Sequence, residues 1–260
     1  MNSMTSISRR DFLMLGGLSF LSAAFLRYEP VASAYHEQPV LYQGSQHYDR
    51  VALTYDDCYL VTMLHKLEDI LDQNPEVRIT LFPVGEALLN NEGKDPGVWK
   101  RFYEKGHEIG YHSFDHTNPE VMSAQGAVAD YDRWLDALRE VLGTEPSVRF
   151  ARPPYGNTSP SFLSMCVQRG LVPTMWSTGW GGPTESVITY TVPKIRRGDI
   201  VLLHTRPEDM DTSADALPEL TERGIQAVTL SRLYLDLLKE QNESQGCYAD
   251  PRSLLRTCIE

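Results

Sequence analysis

Two adjacent carboxylates, Asp56-Asp57, and two histidines four residues apart, His112 and His116, are the side chains of this 260-residue chain best suited to chemistry. A divalent ion at a hydrolytic site needs neutral nitrogen donors, a carboxylate, and open positions for water and substrate. His112 and His116 supply the nitrogens if a strand turns into helix between them, as Asn118-Pro119 nearby would permit, and Asp57 supplies the carboxylate. Successive side chains on a strand point opposite ways, so Asp56 and Asp57 divide the work. One ligates the ion and the other stays free to accept a proton. The plain alternatives are an Asp-Asp turn or helix cap, and a histidine pair that holds nothing. Arg152-Pro153-Pro154-Tyr155-Gly156, the stretch 176–180 with Trp176 and Trp180, and His204 complete the set.

The elements that must position these residues are legible as alternating apolar β-rich runs and helix-period segments. Strands are expected at 51–55, 77–84, 107–112, 147–151, 171–176, 200–204 and 225–228. Helices are expected at 60–71, 96–105, 121–142, 160–169, 213–223 and 230–239. Such alternation implies parallel strands with crossover helices. The α/β fold expected is a single-domain irregular (β/α) barrel of six or seven parallel strands, since the glycine fingerprint of a dinucleotide fold is absent. Barrel chemistry sits at the carboxyl ends of the strands, and that is where Asp56-Asp57, His112, Arg152, Trp176 and His204 fall.

Taken in order, these segments resemble the polysaccharide deacetylase family, the carbohydrate esterases that include chitin and peptidoglycan N-acetylglucosamine deacetylases. Thr54-Tyr55-Asp56-Asp57 looks like its first motif and His112-Ser113-Phe114-Asp115-His116 like its His-(Ser/Thr)-x-x-His motif. Arg152-Pro153-Pro154-Tyr155-Gly156 stands at the third, 176–180 at the fourth, and Leu202-Leu203-His204 at the fifth; Gly106-His107-Glu108-Ile109-Gly110 also fits. The resemblance implies that Asp57, His112 and His116 bind a divalent metal, zinc by preference, and that Asp56 is the base activating its water. It further implies that the Tyr155 backbone N–H helps hold the oxyanion, that His204 protonates the departing amine, and that Leu202 with Trp176 walls the acetyl pocket. Trp180 is expected at a sugar-contacting aromatic lip.

Three departures stand out. Cys58 follows the second aspartate where glycine is usual, and is expected to pack away from Asp57. The fourth motif, Trp176-Ser177-Thr178-Gly179-Trp180-Gly181-Gly182, has no acid to pair with Arg152, unless Glu185 or another residue fills in. Thr205 replaces a common aspartate after His204.

Composition bounds the rest. A formal charge of −11 argues against a nucleic-acid partner. Residues 1–34 read as a twin-arginine signal peptide: Ser8-Arg9-Arg10-Asp11-Phe12-Leu13, an apolar run too short to span a bilayer, and a small-residue cut after Ala34. An N-terminal segment (35–48), a catalytic domain (49–240) and a C-terminal tail (241–260) follow. The expected location is periplasmic, cell-wall or extracellular, with no stable membrane insertion after cleavage, and a monomer is assumed. Cys247 and Cys258 can pair in an oxidising compartment or remain free thiols. The leading function is metal-dependent deacetylation of peptidoglycan or a chitooligosaccharide. The alternatives are O-deacetylation of hemicellulose and a non-catalytic glycan-binding barrel.

Overall fold

The computed structural model describes residues 39–179 and 192–245, and the backbone of 247–249 and 256–258. The predicted leader, Trp180, Glu185 and the side chains of Cys247 and Cys258 lie outside the described residues.

The architecture grows from β1 (Arg50–Asp57), whose interior residues are all buried. It pairs in parallel with β2 (Thr80–Pro83) on one side and β7 (Ile200–His204) on the other, and its start also pairs with β8 (Gln226–Ala227). A strand buried on both faces cannot show a polar side, which is why β1 reads as an apolar run until its last residues. From β2 the sheet continues to β3 (Glu108–Ile109), and Tyr111 bridges Ala151 of β4 (Phe150–Ala151). β4 pairs with β5 (Val172–Pro173), and the same stretch of chain runs on into β6 (Thr178–Gly179), which pairs with β7. The parallel ring closes as a distorted α/β barrel. Counting β5 and β6 as one run gives seven parallel strands, as expected. Leu41 straps the seam, donating to the Pro173 carbonyl and accepting from Met175 N–H, both at 2.8 Å.

Alternation along the strands sorts the interior by height. Val51, Leu53 and Tyr55 of β1 belong to the larger core, which packs the helices on the barrel. Ala52 faces the smaller core with Phe82, Phe150, Ile200 and Leu233. Above that apolar floor the same inward positions become Thr54 and Asp56 on β1, and Leu202 and His204 on β7. Register sets Asp56 level with His204 and Phe82.

Helices α1 (Val61–Asp72), α3 (Val98–Glu104), α4 (Ala124–Leu142) and α5 (Pro160–Arg169) fall where the periodicity places them. Two findings differ. A helix α2 (Gly85–Lys94) occupies a stretch for which no element was expected, and α6 (Pro207–Glu222) begins six residues before the expected 213. α7 (Leu230–Gln245) follows β8, and β9 (Cys247–Ala249) and β10 (Arg256–Cys258) form an antiparallel pair.

Candidate metal centre

Asp57, His112 and His116 come together at the barrel mouth. His116 Nε2 lies 3.2 Å and His112 Nε2 3.5 Å from Asp57 Oδ1, and one donor atom from each residue lies within 4.8 Å of the others. Zinc bonds of about 2.0–2.1 Å in a tetrahedron separate ligand atoms by about 3.3 Å, so the spacing suits an ion of that size. Asp57 Oδ1 is buried without a hydrogen-bond donor, an arrangement a cation would satisfy. His112 Nδ1 lies 2.8 Å from the Arg152 carbonyl oxygen; donating there leaves Nε2 as the free lone pair. Burial alone would raise the Asp57 pKa, but the two imidazoles outweigh it and hold the carboxyl well below its ordinary range. Burial likewise works against protonated His112, yet Asp56 and Asp57 prevail and raise its proton affinity. These groups fit a divalent cation.

The backbone does not reach this arrangement as expected. No helix runs from His112 to His116; the segment is a loop, with Ser113 and His116 in the left-handed region at φ 65° and 61°. The loop is held from outside. Gly85 and Glu86 at the start of α2 donate to the Ser113 and Phe114 carbonyls at 3.1 and 2.8 Å, and Phe114 N–H donates to Asp130 of α4 at 3.0 Å. A helix would spend these carbonyls internally. Gly85 is required by proximity, since a Cβ there would lie 2.4 Å from the Phe114 ring. Asp57, Cys58 and Tyr155 also have positive φ, so all five such non-glycine residues described belong to this site or adjoin it. Left-handed backbone at non-glycine residues is costly and gathers where surrounding structure enforces it.

Around the triad, Asp56 Oδ1 accepts from Arg152 Nη1 at 2.7 Å, and its Oδ2 lies 3.9 Å from His112 Nε2. The fully buried Arg152 also donates to Thr54 Oγ1 and the Met175 carbonyl, at 2.7 and 2.9 Å. Among the described residues Asp56 is its one carboxylate partner. Cys58 is buried in the main core, its sulfur 3.6 Å from the Tyr55 carbonyl, and burial pushes its thiol pKa up. Tyr155 is 72% exposed and sets its ring edge-on to His116, with centroids 4.6 Å apart. Leu202, Trp176 and His204 are half-buried at the same mouth, and Trp176 lies 5.9 Å from the Arg152 guanidinium. Burial lowers the His204 pKa against the pull of Asp56.

The sequence pattern of polysaccharide deacetylases matches residues 43–173, half of the chain. The chain belongs to that family. As a member it is a hydrolase, and the barrel above is the family's distorted form. This deacetylase is 29% identical over 202 residues to a peptidoglycan-N-acetylglucosamine deacetylase of Bacillus cereus, covering 74% of this chain and 71% of that one. It is 29% identical to the deacetylase PgdA of Listeria monocytogenes over 195 residues, 73% of this chain and 40% of the relative. The crystal structure of the Bc1960 peptidoglycan N-acetylglucosamine deacetylase, in complex with 4-naphthalen-1-yl-N-oxidanyl-benzamide, is similar at a TM-score of 0.67 and 25% identity. The match covers 75% of this chain and 92% of that one. A family pseudoenzyme from Bacillus anthracis shares the fold at the same TM-score and 20% identity, over 75% and 69% of the two chains.

Sequence reasoning missed the residues that hold the ligands rather than supply them. Thr54, two before Asp56, was findable from strand alternation. Asp130, and Asn91, which donates to the Cys58 carbonyl at 2.7 Å, have no local signal.

Proposed function

We propose that this deacetylase hydrolyses the N-acetyl group of a β-linked N-acetylglucosamine glycan, peptidoglycan or a chitooligosaccharide, with a zinc-like ion held by Asp57, His112 and His116. The observation that carries the reading is the buried, donorless Asp57 Oδ1 beside two imidazole nitrogens. The ion, when bound, polarises the acetyl carbonyl and acidifies water. Asp56, with Oδ1 on Arg152, keeps Oδ2 on the ligand side and accepts the proton there. The Tyr155 backbone N–H helps stabilise the oxyanion. His204, whose burial weakens its hold on a proton, donates to the departing amine nitrogen. Leu202 and Trp176 border the acetyl methyl. The names of the Bacillus and Listeria relatives favour peptidoglycan.

Acetate release from peptidoglycan, penta-N-acetylchitopentaose and acetylxylan, with metal content measured in parallel, tests this reading. Release from either N-acetylated glycan, lost on chelation and in Asp56→Asn, is expected. Release from acetylxylan alone would replace it with O-deacetylation, and release from none would reject both.

Export by the twin-arginine route belongs to the same proposal. It is supported by the Arg9-Arg10 leader and is checked by cell fractionation of wild type and an Arg9→Lys, Arg10→Lys variant. No described helix is long and apolar enough to cross a membrane.

A further inference from the structure

Arg152 is a fully buried cation, and its donors can be counted. Nη1 gives one N–H to Thr54 Oγ1 and one to Asp56 Oδ1, each at 2.7 Å. Nη2 gives one to the Met175 carbonyl at 2.9 Å, and Nε is buried without an acceptor. The plane sits 4.4 Å from the centre of the Phe82 ring. Arginine ordinarily meets a carboxylate fork to fork, engaging both oxygens. Here it does not: only Nη1 meets Asp56, at Oδ1, while Thr54 on Nη1 and the Met175 carbonyl on Nη2 hold the guanidinium plane so that neither Nη2 nor Nε bonds Oδ2.

Thr54 is also fully buried, and its hydroxyl is committed. It donates to the Val201 carbonyl on β7 at 2.7 Å, which fixes the rotor and turns a lone pair toward Arg152. β1 carries both Thr54 and Asp56 on its inward face, and Arg152 follows β4 directly. One hydroxyl thereby links three strands at the level just below the mouth.

We infer that Thr54 is a positioning residue for the hydrolytic reaction: by accepting one Nη1 proton it keeps Arg152 monodentate on Asp56, and so keeps Asp56 Oδ2 available as the base. The inference rests on the reading of Asp56 as base. Without the Thr54 oxygen, Nη1 holds an unspent buried proton beside those that Nε and Nη2 already hold, and one of the contacts that fix the guanidinium plane is gone. Asp56 is the one carboxylate that Arg152 meets among the described residues, and a turn that brings Nη2 or Nε to Oδ2 would make a fork-to-fork pair on the atom that must take the proton from water. The loss falls on turnover, not on metal or substrate binding, since Thr54 touches neither ligand set.

The test compares Thr54→Val, which keeps shape and removes the hydroxyl, with Thr54→Ser, which keeps the hydroxyl. Asp56→Asn serves as reference, and acetate release from penta-N-acetylchitopentaose and metal content are measured throughout. For Thr54→Val we expect kcat to fall tenfold or more, with KM and metal stoichiometry within twofold of wild type, and Thr54→Ser to return within threefold of wild-type kcat. A purely structural role would lower stability without this split between kcat and KM. Wild-type kcat in Thr54→Val, or a serine variant as slow as the valine one, overturns the inference while the loss in Asp56→Asn leaves the base reading standing. Wild-type turnover in Asp56→Asn overturns both. If the valine variant does not fold, Thr54→Ala takes its place under the same criteria.

Discussion

Ser113 lies between the two histidines of the candidate metal site, in a backbone conformation glycine adopts freely, with its hydroxyl oxygen buried and unpartnered. Each condition costs free energy: a left-handed non-glycine residue about 1–3 kcal/mol and an unsatisfied buried polar group about 1–3 kcal/mol. Glycine removes both and gives back about 0.4–1 kcal/mol through the unfolded chain. Ser113→Gly is therefore expected to stabilise the protein by about 1 kcal/mol in urea unfolding, with metal stoichiometry unchanged. At this scale residue types were legible and conformations were not. Asp56, Asp57, His112, His116, Arg152 and His204 stand out as polar groups at strand ends, and the fold brings them to one mouth. Nothing local marks Asp57, Cys58, Ser113, His116 or Tyr155 as left-handed, since that is imposed by the elements around them.

Those elements act through groups of no obvious catalytic kind. Asp130 of α4 accepts from Phe114 N–H and from the Tyr111 hydroxyl, so one carboxylate fixes the loop that carries both histidines. Losing a group that orients metal ligands typically costs 10–100-fold in affinity. Asp130→Ala should weaken zinc binding by about tenfold or more in a competition titration. Asp130→Asn, which keeps one acceptor oxygen, should lose less. Asp209 in the first turn of α6 does similar work for β7, accepting from the His204 backbone N–H at 3.1 Å. Burial raises its pKa from 3.8 to about 6, against the pull of that hydrogen bond. The folded state then binds more protons than the unfolded between those values, so this group's contribution to stability falls as pH rises from about 4 to about 6. Asp209→Asn should remove that slope, so Tm of the variant gains on wild type across this interval. The start of α6 carries a signal that the expected start at 213 passed over: Pro207 followed by Glu208 and Asp209, a proline and acids in a first turn. α2 was not legible: Gly85-Glu86-Ala87 gives little periodic signal, and its first N–H groups are satisfied by the distant Ser113 and Phe114 carbonyls.

For the whole molecule, alternating strand and helix periods were enough to give the barrel, because parallel strands need helical crossovers and buried strands read as apolar runs. The closure of the ring was less visible: β3, β4, β5 and β6 are each two residues long and owe their pairing to neighbours. The seam between β5 and β7 is closed in part by chain that precedes the first strand. Gly44 N–H donates to the Gly198 carbonyl at 2.7 Å, and the Gln43 amide to Asp199 at 3.2 Å, alongside the Leu41 bridge. Removing residues through Gly44 exposes the buried Leu41 contact and opens these bonds, at a cost of about 2–4 kcal/mol. A truncation series read by thermal unfolding should show the drop between starts at 39 and at 45.

That strap also sets a tether length. With a cut after Ala34, six residues separate the new amino terminus from Leu41. At about 3.4 Å each they reach about 20 Å when fully extended. Under the export proposed above, a cut after Ala34 would leave only this length ahead of the strap, so inserting residues between 35 and 40 should change processing while the Tm of the barrel stays the same.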